Sequence, residues 1–305
     1  MNTADILTIA IDQLMRLEDH IFDVLSLNKP ISPAAAVNLV KVISKLSPLL
    51  GNLIEFNTID ILNQREEFHE YGLWLRQDPG FPDALFTGSI TPTPGIEIKT
   101  WFPLATEITA RFKERQEHFT NANIFVVLVA WMPEYVIYGR PRILNIRIIE
   151  AGSIARARDF HYHNPPDYLV FEPETTDGRT RNLQQTNTNG YKWQDTPEAL
   201  AEAKHLVDSW GDDGRYYQSM PAYQDLLRQL LARYRYRLDT NFAKIDRIAH
   251  PEIEQFKREV YQMPIHGMTV YQWMQLCNSA DNERIARALA THLTITPLDA
   301  DSLLK

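Results

Sequence analysis

"PDALFTGSITPTPGIEIKTW", residues 82–101, is the stretch on which the reading of this chain turns. Its last part, "IEIKTW", opens directly after the turn signal Pro94-Gly95 and is short and β-rich, which predicts a strand. Side chains in a strand alternate between faces, so Glu97 and Lys99 share one face while Ile96 and Ile98 share the other. A carboxylate and an ammonium are thereby paired on one side of an otherwise apolar segment. Asp83, after Pro82, is expected to end a neighbouring short strand, and a hairpin turn over residues 84–94 would bring it back to Glu97.

Working outward, "PLATEITARFKERQEHF" from Pro103 predicts an amphipathic helix with Leu104, Ile108 and Phe112 on one face. "NIFVVLVAWM" from Asn123 predicts a strand buried on both faces. A strand, a crossover helix and a second strand place the two strands parallel in one sheet. "RILNIRIIEA" and "DYLVFEP" are expected to continue that sheet through residue 173, with an irregular stretch between them. Upstream, Ile6, Ile9, Ile11, Leu14, Leu17 and Ile21 recur at helical spacing over residues 4–28. Ser32-Pro33 opens a second helix, and Ser47-Pro48 repeats the start signal for a third, in which Glu55 sits among Leu53, Ile54 and Phe56. Beyond Pro197 the pattern is helical in four segments, "EALAEAKHLVDSW", "AYQDLLRQLLARYRYRL", "EIEQFKREVYQM" and "NERIARALATHL". The expected architecture is α/β: a single domain over residues 1–305 with a central mixed β-sheet flanked by helices and additional N- and C-terminal helices. Its catalytic core spans about 45–175 and its C-terminal helical region about 197–305.

With 305 residues, 44% hydrophobic and 23% charged, the chain buries a full core and is unlike a disordered or fibrous sequence. The net charge of −8 argues against a uniformly basic surface. Arginine is nevertheless clustered: Arg140, Arg142, Arg147, Arg156 and Arg158 in one run, and Arg228, Arg233, Arg235 and Arg237 in another. "IFVVLVAWM" is too short to span a bilayer, and the first residues lack a basic leader followed by an apolar block. With Cys277 the sole cysteine, a reducing cytoplasm and no membrane are expected.

Hydrolysis of a phosphodiester requires neutralisation of the phosphate, a positioned water and help for the leaving oxygen. Two carboxylates such as Asp83 and Glu97 can hold a divalent cation, and Lys99 on the same face can stabilise charge growing on phosphate oxygens. Pro82-Asp83 and "EIK" at 97–99 resemble the active-site motif of the PD-(D/E)XK nuclease superfamily, which includes most type II restriction endonucleases. "SPLLGNLIE" at 47–55 is similar to the Gly-containing helix that presents a glutamate to the metal in the mismatch-repair nuclease MutH and related restriction enzymes. The resemblance covers about residues 45–132 and implies a restriction-endonuclease-like sheet with Mg²⁺ as cofactor. It implies Asp83, Glu97, the Ile98 carbonyl and the auxiliary Glu55 as metal ligands, with Lys99 assisting the nucleophilic water. The implied activity is sequence-specific cleavage of double-stranded DNA to 5′-phosphates by a homodimer in a restriction-modification system. A repair nickase, a modification-dependent nuclease and a non-catalytic DNA-binding protein of the same fold are the alternatives. The gap from Asp83 to Glu97 is longer than in the tightest family members, so the intervening turn must bulge or carry a function of its own.

In "RTRNLQQTNTNGYKWQ", Arg179, Arg181, Asn182, Gln184, Gln185, Asn187 and Asn189 are candidate base-reading residues, because Arg pairs with guanine and Asn or Gln with adenine. Lys192 and Arg181 suit phosphate contacts, and Asn189-Gly190 suggests a tight hairpin turn. Asp159, His161 and His163 would alternate along a strand and are a weaker metal candidate. Glu202 and Lys204, also two apart, fall in a helical pattern where they point apart and form no site. Cys277 reads as a core residue.

Overall fold

The computed structural model describes residues 1–77, 80–104, 123–163, 167–170, 189–211, 214, 220–239 and 250–295. The stretch after Pro94 forms β3 (Gly95–Trp101), the middle strand of a five-stranded mixed sheet with helices packed against it. The other strands are β1 (Gly72–Arg76), β2 (Ala84–Gly88), β4 (Ile124–Tyr135) and β5 (Tyr138–Glu150), in the spatial order β1-β2-β3-β4-β5. Only β3 and β4 run parallel, as the strand–helix–strand pattern requires; the other neighbours are antiparallel. The expected crossover helix from Pro103 falls almost wholly outside the described residues. Val126 through Met132 of β4 are all buried, which is why that strand reads as a continuous apolar run.

The chain divides into two compact units, one of residues 1–156 with 249–305 and one of residues 157–248. The first holds the five-stranded sheet together with α1 (Thr3–Met15) and α2 (Pro33–Leu62). The inserted unit holds a separate three-stranded sheet of β6 (Asp167–Val170), β7 (Asn189–Trp193) and β8 (Tyr236–Asp239), with α4 (Pro197–Asp208) and α5 (Pro221–Arg233). A helix α3 (Ala151–His163) runs across the sequence boundary between them. The helices expected after Pro197 are thus shared out, because α6 (Pro251–Gln262), α7 (Val270–Cys277) and α8 (Asn282–Leu293) belong to the first unit. Between α6 and α7, the short strands β9 (Pro264–Ile265) and β10 (Met268–Thr269) form a two-stranded hairpin.

Several expectations are corrected. The first helix stops at Met15; Asp19 takes a left-handed φ of 65°, and Ile21 and Leu27 instead bridge to β5 at Arg142 and Gly139. The second and third helices are one, since α2 runs straight through Pro48. Pro48 is exposed, and a proline on the solvent side of a long helix costs one backbone bond without displacing packing on the buried side. The stretch expected to be irregular after β5 is helix α3. "DYLV" pairs with β7 rather than continuing the first sheet, and Asn189-Gly190 begins β7 instead of forming a hairpin turn. The helix expected to run through "RYRYRL" ends at Arg233, and that tail becomes β8.

α2 is the one described helix long and apolar enough to cross a membrane by length and composition. Its buried side, including Val37, Val40, Ile43, Leu50 and Ile54, lies in the core. Two contacts set its position. A Cβ at Gly51 would stand 2.5 Å from Thr100 Oγ1, so glycine there lets α2 lie directly on β3. At the other end Asn63, the C-cap of α2, donates Nδ2–H to the Trp74 carbonyl (2.8 Å) and accepts the Trp74 N–H at Oδ1 (2.7 Å). The amide thus acts as a short extra strand on the outer edge of β1. Asn63→Ala leaves both backbone groups of Trp74 without partners, so a loss of about 2 kcal/mol is expected, read from the denaturant midpoint.

Candidate active site

β2 and β3 pair with Ala84 opposite Ile96 and Leu85 opposite Gly95. One step further in the same register sets Asp83 opposite Glu97. Asp83 therefore precedes β2 instead of ending a strand, and residues 84–94 contain β2 as well as the turn. The convergence expected from the sequence follows from the ladder itself: cross-strand partners share a face with their Cβ atoms about 5 Å apart. The Asp83 N–H donates to Glu97 Oε2 (3.1 Å), and its carbonyl accepts from the Gln77 N–H (2.8 Å), which anchors the residue from both sides. Gly95 makes room for Pro82, whose Cγ would lie 2.7 Å from a Cβ at that position.

The proline and the aspartate have separate tasks. Pro82 stands opposite Ile98 in this register and has no N–H to give. The N–H and C=O of a strand residue leave on the same side; the Ile98 N–H is taken by Asp83 Oδ2 (2.7 Å), so its carbonyl faces the same edge without a ladder donor. Asp83 replaces the missing backbone link, and the Ile98 carbonyl is left without a ladder donor beside the two acidic residues.

Lys99, next on that face, contacts Glu97 Oε1 and lies 3.9 Å from Asp83 Oδ2, so its ammonium bridges the two carboxylates. Beyond it the same face turns apolar, with Trp101 packed on Phe256 and Tyr261 of α6 at ring distances of 5.9 and 5.3 Å. Glu97 is only 5% exposed. Burial pushes its carboxyl above the usual range, and Lys99 acts in the opposite direction. Glu55, one helical turn beyond Gly51, is raised first by burial and next by the charge of Asp83, with Arg76 and Lys99 opposing. Glu55 is thus close enough to the pair to feel the charges of Asp83 and Lys99. Its Oε1 takes both Nε and Nη2 of Arg76, each at 3.2 Å.

A raised carboxyl favours the folded state when protonated. The Glu97 contribution is fully present below the unfolded value near 4.5 and is lost as pH rises through the raised folded value. In EDTA, the protein is expected to lose stability from this group on going from pH 5 to 8, and Glu97→Gln removes that part of the slope. Melting temperatures of both proteins across that range provide the check.

Among the described residues, no group of three or more His, Cys, Asp and Glu side chains is arranged to hold a metal. The set present instead suits Mg²⁺, which keeps most of its waters and is held by one or two carboxylates rather than by an all-protein cage. Asp83, Glu97 and the Ile98 carbonyl would be the donors in such a set, and the Lys99 ammonium already lies beside both carboxylates.

Other candidates fare differently. Arg179, Arg181, Asn182, Gln184, Gln185 and Asn187 lie outside the described residues, while Asn189 and Lys192 lie on β7. Asp159, His161 and His163, expected to alternate along a strand, fall on helix α3 instead. Glu202 and Lys204 lie on α4 as expected. Burial pushes the Cys277 thiol up to about 12, in keeping with a core residue and not a nucleophile. His250, 4% exposed, meets Ser153 Oγ through Nε2 (3.0 Å) and is held below its usual range by burial. Sequence reasoning missed Arg76 because it passed over β1; "GLWLR", which starts at Gly72 and is followed by the turn-favouring residues "DPG", carried the strand signal. Comparison of the chain with family models, with curated proteins and with solved structures found no match.

Proposed function

We propose that this chain is a Mg²⁺-dependent, sequence-specific endonuclease of double-stranded DNA with a restriction-endonuclease-like catalytic core, acting as a homodimer and leaving 5′-phosphates. The observation that carries the reading is the cross-strand placement of Asp83 against Glu97, with Lys99 on the same face and the Ile98 carbonyl lacking its ladder donor. Asp83, Glu97 and that carbonyl would hold the cation, with Glu55 as auxiliary acid. When bound, a divalent cation neutralises the scissile phosphate and acidifies a coordinated water.

The rest is work for the chain itself. Lys99 holds a positive charge beside the carboxylates, where it orients the attacking water and stabilises negative charge growing on the phosphate oxygens. Burial of Glu97 and of the apolar face behind Trp101 lowers the local dielectric, which strengthens both effects. Asp83 is locked by three backbone links, through Gln77, Ile98 and Glu97, so the donor set is fixed before substrate arrives.

Supercoiled plasmid incubated with Mg²⁺ and with EDTA tests the proposal. Discrete fragments with one recurrent end sequence and a 5′-phosphate are expected in Mg²⁺ only. Nicking confined to hemimethylated or modified duplex would replace this reading with a repair or modification-dependent enzyme. DNA binding with no cleavage on any duplex would replace it with a non-catalytic binder.

A further inference from the structure

We propose that Arg76 is a positioning residue that fixes Glu55 and supplies the countercharge holding this site to one divalent cation; the inference rests on the nuclease reading above. Arg76 is the last residue of β1 and pairs in register with Ala84, the neighbour of Asp83. From there its guanidinium meets a single oxygen of Glu55, Oε1, through two nitrogens at 3.2 Å. Glu55 itself stands on α2, whose height over β3 is set at Gly51. The carboxylate is therefore clamped between a helix seated on the central strand and a cation on the edge strand. Among the described residues, its Oε2 takes no hydrogen bond, which leaves that oxygen for the site.

Charge then sets capacity. Among the described residues, Glu55, Asp83 and Glu97 face two cations, Lys99 and Arg76, through the contacts and charge effects above. Ionised, these five side chains sum to one net negative charge. One divalent cation turns that to one positive charge, which a phosphodiester monoanion cancels. A second divalent cation would leave an excess of positive charge in a partly buried site, which is unfavourable at the effective dielectric of such places. Without Arg76 the same carboxylates together with Lys99 carry two net negative charges and can accept more cation, but Glu55 loses its fixed direction. Metal uptake and turnover should then move in opposite directions, which a purely structural role for Arg76 does not produce.

The test uses the full chain titrated with Mn²⁺, following free ion by electron paramagnetic resonance, with plasmid cleavage measured in parallel. Wild type is expected to bind one Mn²⁺ per chain. Arg76→Ala should bind the first ion more tightly, on the order of tenfold, and take up a second, while cleaving about 10- to 100-fold more slowly. Arg76→Lys keeps the charge without the fork; it should retain one ion per chain and recover part of the rate. Melting temperature monitors folding of each variant, and Arg76→Gln provides a second neutral variant if Arg76→Ala unfolds. Unchanged stoichiometry and rate in the neutral variants, or a fall in both affinity and rate, overturns the inference and leaves the nuclease reading standing. A wild-type chain that binds no Mn²⁺ overturns that reading, and the inference with it.

Discussion

Lys99→Ala and Asp83→Ala are expected to abolish Mg²⁺-dependent cleavage while leaving DNA binding largely intact. For Lys99 the expected loss is about 10²- to 10³-fold or more, the usual cost of removing one preorganised charge stabiliser from a site shielded from water. Its removal also leaves the buried Glu97 carboxylate without its cation, so Lys99→Ala should push the Glu97 carboxyl further upward and weaken ionisation where a metal needs it. Asp83→Ala removes more: a cation ligand and the acceptor that substitutes for the missing ladder bond to Ile98. Asp83→Asn separates these losses, because an amide oxygen can still accept the Ile98 N–H while the charge is gone. Cleavage should remain absent in Asp83→Asn, and its stability should lie closer to wild type than that of Asp83→Ala. Wild-type cutting by Lys99→Ala or Asp83→Ala ends the assignment. Gel-shift titration in Ca²⁺ and single-turnover cleavage in Mg²⁺ give the two readouts.

The second large effect is structural in origin and catalytic in outcome. Gly51→Leu places a branched side chain where even a Cβ would crowd Thr100 Oγ1 at 2.5 Å, so α2 must lift from β3 or Thr100 must be displaced. Overpacking of this kind costs about 1–3 kcal/mol. Lifting α2 also withdraws Glu55, one turn further on, while Arg76 on β1 keeps its place in the sheet. The expected signature is a lower denaturant midpoint together with a higher Mg²⁺ requirement for cleavage. Gly51→Ala, needing only a rotation of Thr100, should show the same direction at smaller size. A stability loss with no change in Mg²⁺ requirement would detach Glu55 from the site.

The pairing of Glu97 with Lys99 was legible because it rests on short-range rules. Alternation along "IEIKTW" puts Glu97 and Lys99 on one face whatever the strand's neighbours, and the same logic separates Glu202 from Lys204 on α4. The parallel pairing of β3 with β4 also followed from local order. Features that depend on distant partners were not legible. "DYLV" is equally β-prone in either sheet, and only its pairing with residues 189–193, and theirs with 236–239, assigns it to the smaller one. Pro48 looked like a helix start because its effect on α2 depends on which side of the helix meets solvent. Asp83 was identified from its motif, but its exact partner came from the register of β2 on β3, one residue of which would turn it to the other face. Arg76 needed the same long-range information, since nothing local links residue 76 to residue 55.

The most direct measurement is the anomalous diffraction of crystals grown with Mn²⁺ in place of Mg²⁺. A single peak per chain within bonding distance of carboxyl oxygens of Asp83 and Glu97 and of the Ile98 carbonyl is the predicted result. Saturating Mn²⁺ with no peak at that edge of β3, or a peak held by other residues, would contradict the account.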